Sequence, residues 1–146
     1  MKVLLAYDGF THSDNALAAV ADLAGAPGTE ITILSVVPPD ARASKSGGHV
    51  GLRPHAHEDV ARAHAYLRER RIESTMQMED GHPAGEIVRV AEEGGYDLIV
   101  AGSRGRSPVG ELLLGSVSQA LVRQASCPVL VVTKDAEQRF EPTSAV

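Results

Sequence analysis

The residues best suited to chemistry lie between Asp97 and Ser118, in the run DLIVAGSRGRSPVGELLLGSVS. Two residues separate Gly102 from Gly105, and nine separate Gly105 from Gly115 and Ser116. The apolar segment Leu98-Ile99-Val100 precedes the glycines, and a helix-like run follows Ser116. A strand, a glycine-hinged loop and a helix N-terminus together suit a phosphate. Glycines let backbone N–H groups approach anionic oxygens, and the helix end supplies unpaired donors and a partial positive charge. Arg104, between two of the glycines, is a charge-assisted partner for the same anion, whereas Arg106 reads as solvated surface. Tight turns and close packing would account for any single glycine, but not for three at this spacing followed by Ser116. Ser116 and Ser118 also suit N-cap positions, a role compatible with phosphate contact.

The elements that must position this loop alternate along the chain. Met1 to Tyr7 has the consecutive apolar residues of a strand buried on both faces, and Asp8-Gly9 ends it. Thr11 and Asp14 have the spacing of a capping box, with Ser13 as a competing N-cap. The helix they open extends to about Ala24, with Leu17, Val20, Ala21 and Ala24 on one face. Glu30 to Val37 is a β-branched second strand closed by Pro38-Pro39. Residues 40–53 lack periodicity and read as a loop. A second helix opens at Pro54 or His55 and reaches about Arg70, with Ala56, Val60, Ala63 and Leu67 inward. Ile72 to Glu79 alternates polar residues with Met76 and Met78, as an edge strand covered on one side would.

Gly81-His82-Pro83 starts a third helix that ends at Gly94-Gly95, with Ile87, Val90 and Ala91 buried. Asp97 to Ala101 is a fourth strand, residues 108–114 form an extra helical turn, and Ser116 to Ala125 is the last helix. Pro128 to Thr133 is a fifth strand, followed by a polar tail over 135–146. This βαβαβαβαβ order predicts one α/β domain over 1–134: a doubly wound, five-stranded parallel sheet with helices on both faces. Ligands of such sheets sit beyond the strand C-termini where the winding reverses. Asp8 and the 102–118 loop both fall at strand C-termini, so pattern and motif indicate one crevice.

Composition narrows the function. The chain has 146 residues, enough for one self-sufficient core, and 43% of them are apolar. A formal charge of −5, from 14 basic and 19 acidic residues, argues against nucleic acid as a partner. The single cysteine, Cys127, permits no internal disulfide and reads as a small core residue. No run reaches the roughly 18–20 apolar residues of a membrane span, and the N-terminus lacks a secretory pattern. A cytoplasmic protein without a membrane partner is expected. The six histidines form no tight ligand set, so no metal site is predicted; His12 and His82 are placed on loops at the ligand end.

With these motifs the chain resembles the universal stress protein family, whose nucleotide-binding members carry Gly-x2-Gly-x9-Gly-Ser/Thr. Gly102, Gly105, Gly115 and Ser116 match that spacing without deviation. The likeness continues through Asp8 after the first strand, Val36-Val37, Gly81-His82-Pro83, Asp97-Leu98-Ile99-Val100 and Cys127-Pro128-Val129-Leu130-Val131-Val132. It covers about residues 1–134. The resemblance implies strand order 3-2-1-4-5, an adenine nucleotide alpha hydrolase-like fold, and a homodimer through the Pro128–Thr133 edge strand. It also implies ATP, with or without Mg, in the crevice. By that carry-over Asp8 lies near the ribose or metal, and the Val36 backbone meets the adenine. Gly102, Arg104 and Gly105 border the ribose and phosphates, and Gly115, Ser116, Val117 and Ser118 hold the phosphate tail. Relatives often have proline where this chain has Ala6, which presents a similar apolar surface to the site.

Three functions compete. The first is an ATP-binding regulatory protein of stress physiology, with a protein partner that the sequence does not name. The second is a slow ATPase or self-phosphorylating protein. It is disfavoured because the chain lacks a Walker lysine and no evident base stands beside the glycine loop. The third is a dimeric interaction module that binds no nucleotide.

Overall fold

The computed structural model describes residues 1–9, 11–39, 56–103 and 115–133. Arg104, Gly105, the 40–53 loop, the extra turn at 108–114 and the tail from 135 lie outside the described residues. In order the chain forms β1 (Lys2–Ala6), α1 (Thr11–Leu23), β2 (Glu30–Val37), α2 (Ala56–Glu69), β3 (Ser74–Asp80), α3 (Pro83–Glu93), β4 (Leu98–Gly102), α4 (Ser116–Gln124) and β5 (Val129–Val132). All strand pairs are parallel, and the order is β3-β2-β1-β4-β5. This is the doubly wound α/β sheet expected.

Side-chain alternation splits the core in two. Val3, Leu5, Tyr7, Ile31, Ile33 and Val100 pack with Leu17 and Val20 of α1 and Val60, Ala63 and Leu67 of α2. Leu4, Leu34, Val36, Ile99 and Ala101 pack with Ile87, Val90 and Ala91 of α3 and Leu121 of α4. Burial on both faces explains the continuous apolar run Val3-Leu4-Leu5 of β1, and in β2 it takes in Thr32 and Ser35 as well as the apolar residues. From β1 the winding proceeds outward through β2 to β3. It then crosses to β4 on the opposite side of β1. The reversal point is therefore between β1 and β4, where a parallel sheet opens a crevice beyond its strand ends.

Several local expectations shift. Thr11 is the first residue of α1 rather than its cap, and Ser13 lies inside the helix, buried, with its hydroxyl on Asp8. His12 likewise belongs to α1, not to a loop. The third strand starts at Ser74 rather than Ile72. Ile72 donates its N–H to the Leu67 carbonyl at 2.9 Å, in a turn where Arg71 takes φ 62°, and its side chain packs on the first core. Met76 pairs in register with Ile33, which puts it on the face of the first core. Its position on the outermost strand nevertheless leaves it 45% exposed.

Candidate functional site

Three adjacent strands end at one level. Leu34, Ala6 and Ala101 are in register across β2, β1 and β4. Two residues further on come Val36, Asp8 and Ser103. Val36 is buried at the end of β2, and the neighbouring Val37 carbonyl accepts the Gly81 N–H at 3.0 Å. Ala6 is half-buried against the α3–α4 core.

Ser103 joins four elements. Its N–H donates to the Val132 carbonyl at 2.8 Å, and its Oγ lies 2.8 Å from His12 Nδ1. Its carbonyl accepts the Gly115 N–H at 2.7 Å and the Ser118 hydroxyl at 3.0 Å. The Ser118 hydroxyl also reaches the Gly102 carbonyl at 2.7 Å. Both Ser103 and Ser118 are buried, so these bonds form in a medium where an unmet polar group is costly. The end of β4 is thereby fastened to the start of α4.

The first turn of α4 then presents donors. Gly115 is its N-cap, with φ −65° and ψ 163°, and it has no side chain to cap the helix. The first intrahelical bond runs from the Gln119 N–H to the Gly115 carbonyl at 3.0 Å. The N–H groups of Ser116, Val117 and Ser118 precede that bond, so helix geometry gives them no partner. Among the described residues no other group takes them. The first turn carries no acidic residue to answer the helix dipole. Among the described residues, three amides and the positive end of the helix dipole thus carry no partner at this turn.

The glycine at 102 has a separate cause. A Cβ built on it would lie 2.6 Å from the His12 carbonyl carbon and oxygen and 2.8 Å from the His12 Cβ. Only glycine lets the end of β4 and the first turn of α1 meet at this distance.

At the end of β1, Asp8 and Ser13 bond reciprocally. The Asp8 N–H donates to Ser13 Oγ at 3.1 Å, and the Ser13 hydroxyl donates to Asp8 Oδ1. One residue earlier, the buried Tyr7 hydroxyl donates to Asp14 and accepts from Arg62 at 3.4 Å. Burial, aided by the Asp14 carboxylate, pushes the Tyr7 phenol up to about 12 against the opposing pull of Arg62. Gly9 takes φ +83°, and Asp59 of α2 packs where a Cβ would stand, 2.5 Å from its Oδ2. Ordinary residues would be strained there and would also collide with Asp59.

Of the expected site residues, Ala6, Asp8, Val36 and Gly102 come to the adjoining ends of β1, β2 and β4. Gly115, Ser116, Val117 and Ser118 form the start of α4, which the Gly115–Ser103 bond ties to β4. Sequence reasoning did not single out Ser103 or the tie of Ser13 to Asp8. Ser103 was visible only as an unspecified position inside the glycine motif, and Ser13 only as a hydroxyl close in sequence to Asp8. No group of three or more His, Cys, Asp or Glu able to hold a metal occurs among the described residues. Nor is any of their helices long and apolar enough to cross a membrane.

These features define a doubly wound α/β protein with a helix N-terminus at its switch point. The chain belongs to the universal stress protein family, whose model matches residues 1–133. It is 35% identical to the universal stress protein YxiE of Bacillus subtilis over 90% of this chain and 97% of that one. The solved structure of MJ0577, a universal stress protein of Methanocaldococcus jannaschii, superposes with a TM-score of 0.76 at 27% identity. That match covers 90% of this chain and 94% of the other. A universal stress protein solved in complex with cAMP gives a TM-score of 0.71 at 23% identity, covering 92% and 97%. At that identity the likeness is one of fold.

Proposed function

We propose that this chain is an ATP-binding regulatory protein of stress physiology, holding the nucleotide beyond β1 and β4. The observation that carries the reading is the set of three first-turn amides of α4, at Ser116, Val117 and Ser118. They close a Gly-x2-Gly-x9-Gly-Ser motif, and the donors fit a phosphate tail. Asp8 would repel a phosphate, so its carboxylate suits ribose hydroxyls or a cation instead. Val36 stands at the same level on β2, where its backbone suits the edge of an adenine. The cAMP complex adds that this fold admits an adenine nucleotide in at least one relative. Because the described residues hold no preformed metal cage, Mg would arrive with the phosphates.

Arg104 and Gly105 complete the site in this reading. Turnover is at most slow. The protein acts as a homodimer joined through β5, an edge strand on which Leu130 is 38% exposed.

Acid extraction of freshly purified protein, followed by chromatography of the released nucleotides, tests the ligand directly. A melting series with ATP, AMP and GTP adds specificity, since a ligand at 100 times its Kd raises stability by about 2.7 kcal/mol. ATP is expected to shift the midpoint more than GTP. Equal shifts would remove the adenine assignment, and no shift with any nucleotide would remove the function.

A further inference from the structure

We infer that Ser13 is a positioning residue that sets ribose discrimination by fixing the direction of the Asp8 carboxylate. The inference rests on the nucleotide reading above and deepens it. Ser13 is 4% exposed and lies in the first turn of α1, so its hydroxyl has little rotational choice. That hydroxyl accepts the Asp8 N–H at 3.1 Å and donates to Oδ1 of the same residue. A serine that grips both the main chain and the carboxylate of one aspartate fixes the side-chain torsion as well as the position. A carboxylate offers about four acceptor sites, so one bond from Ser13 orients it without by itself exhausting it.

The turn that carries Ser13 is itself anchored at three points. His12 Nδ1 lies 2.8 Å from Ser103 Oγ, and the His12 backbone rests against Gly102. On the other side, the Asp14 carboxylate takes the Tyr7 hydroxyl. Three consecutive residues of α1 thus hold three residues at the ends of β1 and β4: Asp14 on Tyr7, Ser13 on Asp8 and His12 on Ser103. The same turn that aims Asp8 is tied to the segment that starts α4, because Ser103 also holds Gly115. The spacing between a ribose-facing carboxylate and phosphate-facing amides is therefore set by α1, not by the ligand. A geometry fixed before binding favours the one sugar that fits it.

The test is isothermal titration of the full chain with ATP and with 2′-deoxy-ATP. The wild type is expected to prefer ATP. Ser13→Ala should lower ATP affinity about tenfold while leaving 2′-deoxy-ATP within about twofold, because the loss falls on the hydroxyl contact. Ser13→Thr, which keeps the hydroxyl, should restore the preference. If Ser13→Ala does not fold, Asp8→Asn carries the test and should lose the same discrimination. A Ser13→Ala variant that weakens both nucleotides equally, or neither, overturns the inference while leaving nucleotide binding intact. So does an unchanged preference in Asp8→Asn, or a wild type that binds the two sugars equally. A wild type that binds neither nucleotide overturns both the inference and the reading beneath it.

Discussion

Gly102 lies so close to the backbone of His12 that a Cβ at position 102 would stand 2.6 Å from the His12 carbonyl. The obstacle is main chain in the first turn of a helix, not a side chain free to swing aside. Gly102→Ala is therefore expected to destabilise the protein by about 1–3 kcal/mol, the usual cost of overpacking. Chemical denaturation without nucleotide measures it. A loss of this size in the absence of ligand assigns Gly102 to the packing of α1 on β4. An unchanged midpoint would leave phosphate approach as the reason for glycine here.

The Tyr7 phenol gives a pH signature. Its value in the folded protein is raised from 10.0 to about 12 by burial and the Asp14 carboxylate. A raised value favours the folded state fully below pH 10. The contribution is lost as pH climbs from 10 toward 12, because the unfolded chain releases its proton first. Stability should fall in that window by up to about 1.4 kcal/mol per pH unit from this group. Tyr7→Phe removes the titrating hydroxyl, so its stability curve should be flatter between pH 10 and 12. Parallel curves for the two proteins would show that Tyr7 does not carry the effect.

The contrast between these two residues shows what the sequence could reveal. Periodicity placed β2 at Glu30–Val37 and the start of the last helix at Ser116, because burial and capping are local properties. The glycine spacing marked Gly102 and Gly115 but could not separate their roles. Gly102 is required by His12, which lies 90 residues away in the chain, whereas Gly115 caps α4 and gives its N–H to the Ser103 carbonyl, a hydrogen bond that any residue but proline could make. Asp14 had capping-box spacing from Thr11, yet its carboxylate holds Tyr7. Such partners are chosen by tertiary proximity, which neither propensity nor spacing encodes. The strand order 3-2-1-4-5 came from family resemblance, since alternating strands and helices fix the class of sheet but not its sequence of neighbours.

The β5 edge carries the quaternary expectation. Leu130 is 38% exposed on a short apolar strand that, among the described residues, has a sheet neighbour, β4, on one side only. Leu130→Lys places a charge on that edge, a standard way to block strand pairing. Light scattering at micromolar concentration should report a dimer for the wild type and a monomer for the variant, with the melting midpoint of the variant lowered. A wild type that is monomeric, or a variant that remains dimeric, would remove β5 from the interface.

The claim that an adenine nucleotide sits on the first turn of α4 is tested most directly by amide chemical-shift mapping during titration with ATP. The amides of Ser116, Val117 and Ser118 should move furthest, together with Asp8 at the end of β1. Lys2 and Tyr96, which stack at the opposite end of the sheet, should stay in place. Saturable shifts confined to the first group would establish the site. Unmoved α4 amides at millimolar ATP, or shifts centred on another surface, would contradict it.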